Sequence, residues 1–569
     1  MTGLILRNGV VIDPVNGIRG EKMDLFIKEG KIVESLKERK AKTIDVSNKM
    51  IMPGGIDIHA HIADGKVNVG RAFRPEDHQS YVMEKTDITR SGSGFSTPST
   101  FMTGYLYAKM GYTTAFTPAV PPLTAKHTHA ELNDTPIIDK GTYTLCDGNW
   151  FVMKFIKNGD IEKCASYISW LMKATRSFAI KVVNPGGTEA WGWGDDVRSM
   201  DDEVPNFEIT PKELIEGLIE VNEYLDLPHS VHLHTINLGR PGNYINAIET
   251  IKIPKTINKN RQTLHMTHLQ YYCYGGGDWN SLYSKAQNVA DAVNKSKNVV
   301  VDTGSITLDP TTTMTADGPM EYYLQSLTHL KWANCNVEGE TSMGMTPFDY
   351  SPKMYAPTIQ WAIGLELPLL IKDPQKVMIT TDHPNGGPFF HYPRLVAWLM
   401  SRKFREETLK GAHIGAEKKT DISAIEREYT FDEIAISTRA APAKALGLEQ
   451  YKGNLSVGSQ GDVSIFDLDP RNIDGNDYKE IEEKLSRAFY TIKDGNIVVK
   501  DGKIVDNHNG STFWVNPPQD KEVENSLLSE LDYFFKKNYS VSLASYPVSP
   551  NEINNPVCIQ PNGNGINLE

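Results

Sequence analysis

Met50-Ile51-Met52-Pro53-Gly54-Gly55-Ile56-Asp57-Ile58-His59-Ala60-His61 is an apolar run that ends in two histidines one residue apart. Along a β-strand, residues i and i+2 point to the same side. Both imidazoles can then reach one point from one strand end, and histidine is a common metal ligand. An isolated His-x-His also arises where two unrelated polar residues open a loop. The rest of the chain decides between these readings.

Further strand-like runs carry metal-capable residues. Phe178-Ala179-Ile180-Lys181-Val182-Val183 carries Lys181, and Ser230-Val231-His232-Leu233-His234 ends in His234. Leu264-His265-Met266-Thr267-His268-Leu269 carries His268, and Val377-Met378-Ile379-Thr380-Thr381-Asp382 ends in Asp382. Val299-Val300-Val301-Asp302-Thr303 reads as another strand. Helical patterns alternate with these runs. One opens at Pro211, with Leu214, Ile215, Leu218, Ile219 and Tyr224 at helical spacing and Thr210 placed to cap it. Strand–helix alternation through residues 53–440 predicts an α/β fold, a (β/α)8 TIM barrel with insertions. In such a barrel the C-terminal strand ends converge on one face, which gathers His59, His61, Lys181, His234, His268 and Asp382. A doubly wound open sheet is the alternative. Its nucleotide signature is missing, since Gly92-Ser93-Gly94 has neither a further glycine nor a preceding strand.

Four histidines and a carboxylate can bind two divalent ions, and two ions held close together need a bridging ligand. A lysine buried beside them can react with carbon dioxide to give a carbamate, whose two oxygens serve one ion each. That reaction needs the neutral amine, and burial near cations supplies it. Taken singly, Lys181 in an apolar strand reads as a snorkelling or ion-paired side chain. Asp382, before His383-Pro384-Asn385-Gly386-Gly387, reads as a turn initiator. The ordered set is more specific than any member. His232 and His265 share strands with His234 and His268. They read as core residues, as groups that orient the ligands, or as ligands in their neighbours' place.

The two ends of the chain share another grammar. Within 1–52, Leu4-Ile5-Leu6 and Val10-Val11-Ile12 flank Arg7-Asn8-Gly9, and Asp24 to Ile27 and Lys31 to Val33 flank Lys28-Glu29-Gly30. These are hairpin signals. Within 441–510, Gly461 to Asp467 reads as a strand and Thr491 to Val505 as hairpins around Asp494-Gly495 and Asp501-Gly502. The pattern predicts one composite β-sandwich domain built from both terminal regions. Residues 511–569 form an extension expected at the surface or in contact with a partner. Within it, Glu522 to Lys537 reads as a helix with Val523, Leu527, Leu528, Leu531 and Phe534 on one face.

At 569 residues the chain exceeds a single hydrophobic core, which saturates near roughly 250–300 residues. The net charge of −12 offers no general attraction to nucleic acid or anionic membranes. No apolar run approaches the roughly 18 residues of a membrane span, and the N-terminus does not read as a signal peptide. The five cysteines are scattered, without Cys-x-x-Cys spacing, which speaks against a disulfide framework or an iron–sulfur site here. A cytoplasmic protein is expected.

This set of residues resembles the amidohydrolase superfamily, in particular its dihydroorotase, dihydropyrimidinase and hydantoinase branch. The residues are Pro53 through His61, then Lys181, His234, His268 and Asp382, with the terminal β-unit matching as well. More narrowly, the chain is similar to the A-subunit family of formylmethanofuran dehydrogenases. The blocks that carry this are Lys181-Val182-Val183-Asn184-Pro185-Gly186-Gly187 with Trp191-Gly192-Trp193-Gly194, and His232-Leu233-His234-Thr235-Ile236-Asn237-Leu238-Gly239 with Pro241-Gly242-Asn243. Thr267-His268-Leu269-Gln270 and Thr381-Asp382-His383-Pro384-Asn385-Gly386-Gly387-Pro388 complete them. The resemblance implies two Zn2+ ions bridged by N6-carboxylated Lys181. His59 and His61 would hold one ion and His234 and His268 the other, with Asp382 as a further ligand and the catalytic proton carrier. It implies formate and methanofuran as substrates. The implied partners are a formate dehydrogenase-like subunit with tungsten- or molybdenum-pterin and subunits carrying iron–sulfur clusters. Trp191 and Trp193 read as a stacking surface for a furan or aryl tail, or as packing. A free-standing cyclic amidase of the hydantoinase type, and a non-catalytic interaction protein with a degenerate site, are the rival readings.

Overall fold

Eight parallel strands ring the centre of the molecule. They are β1 (Gly55–Asp57), β2 (Tyr112–Val120), β3 (Asp139–Leu145), β4 (Ala179–Val183), β5 (Val231–His234), β6 (Leu264–Met266), β7 (Val299–Asp302) and β8 (Val377–Met378). Each pairs in parallel with the next, from β1 with β2 through to β7 with β8. The ring closes just beyond β1 and β8. There Ala60 bridges His383 in parallel, and the His61 N–H donates to the His383 carbonyl at 2.7 Å. This is the (β/α)8 barrel expected from the alternation of strand and helix. The structure is a computed structural model that describes residues 3–37, 41–256, 261–336, 342–518, 520–561 and 566–568. Met1, Thr2 and the Cys335 side chain lie outside the described residues.

The helices bury the faces that the spacing selects. Helix Pro211–Tyr224 starts with proline at its first turn and a complete capping box, in which Thr210 and Glu213 satisfy each other's backbone N–H groups. Leu214, Ile215, Leu218 and Ile219 are buried against the barrel, whereas Tyr224 is largely exposed. Among the described residues no helix is long and apolar enough to cross a membrane.

A second sheet draws strands from both ends of the chain. Val463–Phe466 pairs antiparallel with Met50–Pro53, the strand that leads into β1. Leu4, Leu6, Leu25, Ile27 and Ile51 from the front share one core with Val463, Ile465 and Ile492 from the back. The composite β domain is thus one unit. Its hairpins at Glu29-Gly30, Asp494-Gly495 and Asp501-Gly502 place both turn residues at positive φ, as two-residue turns of a twisted hairpin require. Arg7-Asn8-Gly9 is different. Gly3–Asp13 runs as one strand, and the register shift between Leu6 and Gly9 marks an irregularity rather than a turn. Asn8 takes φ 63° there, and its N–H donates to Asp24 at 2.9 Å. An asparagine in that conformation serves a bulge as well as a turn.

A buried ion cluster ties the sheet to the floor of the barrel. Lys452 Nζ lies 2.5 Å from Asp139, the first residue of β3, and 2.8 Å from Asp462. Lys493 Nζ lies 3.2 Å from each of the same two carboxylates. Beyond residue 510, Thr512–Val515 pairs in parallel with the start of β3, and Pro556–Ile559 pairs with it in turn. Helix Lys521–Asn538 buries Leu527, Leu531 and Phe535 against the barrel's outer layer.

Candidate functional site

The six residues singled out from the sequence line one cleft at the C-terminal face of the barrel. His59, His61, Lys181, His234, His268 and Asp382 share it with Leu238, Tyr271, Thr313, Glu321, Tyr350 and Asn385. Their placement follows from the strands. His59 and His61 follow β1, and His234 is the last residue of β5. Lys181 lies in β4, in register with His232, and Val183 is in register with His234. His268 and Asp382 sit beyond β6 and β8, both at positive φ (36° and 49°), where the chain turns out of the barrel. Gly304 packs against that turn so closely that a Cβ there would lie 2.4 Å from the His268 Cβ.

The ligand atoms cluster. Asp382 Oδ1 lies 2.9 Å from His59 Nε2 and 3.2 Å from His61 Nε2. These three residues offer three ligand atoms within 4.8 Å of one another. His61 Nδ1 and His268 Nδ1 are buried without a hydrogen-bond partner. Buried polar atoms are nearly always satisfied, so unpaired imidazole nitrogens beside a buried carboxylate in one cleft fit a divalent cation. Imidazole and carboxylate together suit zinc, among other divalent ions.

The electrostatics agree with this donor set. Burial pushes His61 down to about 3 and lowers His234 and His268, so these rings are neutral, the form in which they bind metal. Burial works against a charged His59, but the carboxylates of Asp382 and Asp302 outweigh it and raise the imidazole above its ordinary value. Burial likewise opposes a charged Asp382, and the surrounding histidines more than offset it, holding the carboxyl well below the usual range. Burial pushes the Lys181 amine down to about 7, against the pull of Asp382, Asp302 and Asp147. Its Nζ lies 3.5 Å from Thr267 Oγ1.

Four groups belong to the site although the sequence reading did not select them as site residues. Asp302, the last residue of β7, accepts from His265 Nε2 at 2.9 Å, from the His268 N–H at 2.9 Å and from Thr380 Oγ1 at 2.8 Å. It thereby holds the two strands that carry His268 and Asp382. Asp317 lies 3.1 Å from His234 Nε2 and accepts from Asn184 Nδ2 at 2.9 Å. Glu321 lines the cleft, accepts from Thr313 Oγ1 at 2.9 Å, and is pushed well above the carboxylate range by burial. His229 is buried behind His232, its Nε2 3.0 Å from His232 Nδ1. The signals were in place: Asp302 closes an apolar run, and Asp317 before Gly318-Pro319 is a helix-start pattern. His265 orients Asp302, while Trp191 and Trp193 do not line the cleft. Trp193 is 58% exposed and donates to Glu189 at 3.1 Å, and the Trp191 ring lies 6.2 Å from Tyr322.

Comparison with known proteins accords with this geometry. A model described as "Amidohydrolase family" matches residues 42–499. Protein FwdA of Methanocaldococcus jannaschii is 50% identical over 570 residues, covering 99% of this chain and 100% of that protein. The A component of the formyltransferase/hydrolase complex Fhc of Methylorubrum extorquens is 31% identical over 565 residues, covering 97% and 99%. The crystal structure of the FhcABCD complex of that organism with methylofuran contains a chain that superposes with a TM-score of 0.88 at 29% identity, covering 98% of this chain and 99% of that one. The chain belongs to the amidohydrolase family, in the company of FwdA and the A component of Fhc.

Proposed function

We propose that this chain joins formate to the primary amine of methanofuran, giving N-formylmethanofuran and water, and catalyses the reverse hydrolysis. The observation that carries this reading is the convergence of His59, His61, Lys181, His234, His268 and Asp382 in one cleft. The end-to-end similarity to FwdA and to the A component of the formyltransferase/hydrolase complex Fhc supports a formyl amide as the substrate. The methylofuran in the Fhc complex supports a furan amine.

His59 and His61 would hold one Zn2+ and His234 and His268 the other, with carboxylated Lys181 and Asp382 as further ligands. When bound, these ions supply Lewis acidity toward the formyl carbonyl and toward water. The chain's own groups do the rest. In the synthetic direction the amine enters as its ammonium and loses two protons, its nitrogen bonds to the formyl carbon, one C–O bond of formate breaks, and that oxygen takes both protons and leaves as water. Asp382 carries the second of these protons from the nitrogen to the leaving oxygen. In hydrolysis it returns that proton to the nitrogen. Leu238, Met320 and Tyr271 wall the cleft and limit water, which favours condensation. Burial pushes Glu321 well above the carboxylate range, which disfavours a charge there that would repel formate.

The pterin-bound metal and iron–sulfur clusters that would make formate from carbon dioxide belong on partner subunits in this reading. The test is formate release from N-formylmethanofuran by the zinc-loaded chain kept with bicarbonate, beside a hydantoin control. Release from the formyl substrate alone, lost in Lys181→Ala, is the expected result. Turnover of the hydantoin instead would assign the chain to cyclic amides and overturn the reading.

A further inference from the structure

The geometry points to a hydrogen-bonded histidine relay, running from the Ala445 carbonyl through His229 and His232 to His59, that fixes the tautomer of His59. The relay keeps a proton on His59 Nδ1, so that Nε2, 2.9 Å from Asp382 Oδ1, is the nitrogen turned to the cleft and available to a cation. Its purpose rests on the metal reading proposed above; its existence does not.

All three rings are buried. His229 Nδ1 lies 2.5 Å from the Ala445 carbonyl oxygen. A carbonyl only accepts, so His229 donates from Nδ1. A neutral imidazole has one N–H, and its other nitrogen then accepts. His232 Nδ1, 3.0 Å from His229 Nε2, must therefore be the donor of that pair. His232 Nε2 is left as an acceptor, 3.0 Å from His59 Nδ1, which must donate in turn. An extra proton on His229 or His232 would set two donors against each other, so those two rings carry one N–H each, while Nδ1–H of His59 is fixed whether or not its Nε2 also holds a proton toward Asp382. Asp302 Oδ2, 3.4 Å from His59 Nδ1, is a second acceptor that asks for the same tautomer. One backbone carbonyl thus sets the polarity of three rings in series. His265 stands beside the relay, its ring 4.3 Å from that of His232 and its Nε2 on Asp302.

His229 and His232 are positioning residues in this scheme. They touch no substrate and act through His59. Groups that hold a ligating histidine in this way typically govern metal affinity by about 10–100-fold.

The test uses the full chain, metal-free and labelled with 15N-histidine, because imidazole 15N shifts distinguish the two tautomers. In the unsubstituted protein His229, His232 and His59 are all expected as Nδ1–H. In His229→Phe the acceptor for His232 is gone, and His59 should populate the Nε2–H form. In His229→Gln the side-chain oxygen accepts from His232 while the amide N–H donates to Ala445, so the original pattern should return. Titration with Co2+ gives the second readout. Affinity should fall about 10–100-fold in His229→Phe and stay near the original in His229→Gln.

An Nε2–H tautomer at His59 in the unsubstituted protein would overturn the relay, whether or not His229→Phe folds. So would an unchanged tautomer and cobalt affinity in a folded His229→Phe. A third equivalent of Co2+, lost in His229→Phe, would replace the relay with a metal site among His229, His232 and His265. The expected tautomers in a protein that binds no Co2+ would uphold the relay and remove the metal reading instead.

Discussion

Asp382 and Lys181 carry the sharpest consequences at the level of single residues. Asp382→Asn keeps an oxygen where the carboxylate stands but cannot carry a proton. Turnover of N-formylmethanofuran should drop by at least about 100-fold, within the usual range for an acid–base group, while metal content stays near two equivalents. Near-normal turnover would remove Asp382 from proton transfer. For Lys181, an amine pushed down to about 7 is half neutral at that pH. Only the neutral amine attacks carbon dioxide, so below pH 7 the reactive fraction falls about tenfold per unit, and above pH 8 it is nearly complete. Reconstitution of the metal-free chain with zinc at fixed dissolved carbon dioxide should therefore quicken from pH 6 to 8 and then level off. A flat rate across that range would mean that the lysine's protonation does not govern assembly. These six residues were legible in the sequence because each follows or sits in an apolar strand run, and strand ends converge in a barrel. Asp302, Asp317, Glu321 and His229 were harder to see. Asp302 and Asp317 find His265, His268 and His234 across 34 to 83 residues of chain. Glu321 and His229 have nearer partners, Thr313 and His232, yet only the packed barrel buries those pairs.

Among the elements, strands with aliphatic interiors were readable and those with polar interiors were not. β4 to β8 stand out as runs of Val, Ile, Leu and Met. β2, Tyr112–Val120, is rich in threonine and contains Pro118, and β3, Asp139–Leu145, alternates polar residues with Gly141 and Tyr143. Both are buried along their whole length. In β3 Lys140 donates to the Thr135 carbonyl at 3.0 Å and the Tyr143 hydroxyl to the Ile58 carbonyl at 3.0 Å, whereas Thr114 Oγ1 and Thr117 Oγ1 of β2 are buried without a partner. Buried polar side chains leave no hydrophobic signature. Two substitutions separate an element's own stability from its service to the site. Thr210→Ala removes half of a capping box and should cost about 1 kcal/mol in urea unfolding, with metal uptake unchanged. Gly304→Ala should do both kinds of damage. It places a Cβ at φ 61°, 2.4 Å from the His268 Cβ and 2.8 Å from its Cα. A loss of about 1–3 kcal/mol is expected, together with an altered visible spectrum of the cobalt-loaded chain as His268 shifts. A spectrum identical to that of the unsubstituted protein would show that the turn after β6 gives way without moving the ligand.

At the scale of the whole molecule, the two ends of the chain meet under the barrel. The hairpin signals at both ends made a shared sheet readable. The charges that lock it to the barrel were not, because Asp139, Lys452, Asp462 and Lys493 are dispersed over the sequence and look like ordinary surface residues. They are buried, and Lys493 sits between Asp139 on β3 and Asp462 beside the strand Val463–Phe466. Burial disfavours its charge, but Asp139, Asp462 and Asp494 outweigh that and hold the ammonium well above the ordinary lysine range. Removing one member of a buried ion cluster leaves its partners desolvated and uncompensated, which typically costs about 3–5 kcal/mol. Lys493→Met should therefore destabilise the chain by about that much in urea unfolding. The exposed pair Lys536–Asp532 is the control, and Lys536→Met should change stability by less than about 1 kcal/mol. The cluster lies at the start of β3, the end of the barrel opposite the cleft, so the metal affinity of folded Lys493→Met should equal that of the unsubstituted chain. Because the cluster spans barrel and sheet, its loss should also uncouple them. The unsubstituted chain is expected to unfold in one transition and Lys493→Met in two, the sheet melting first. A single transition shifted by less than about 1 kcal/mol would place the join in the apolar packing between the two units and not in these charges.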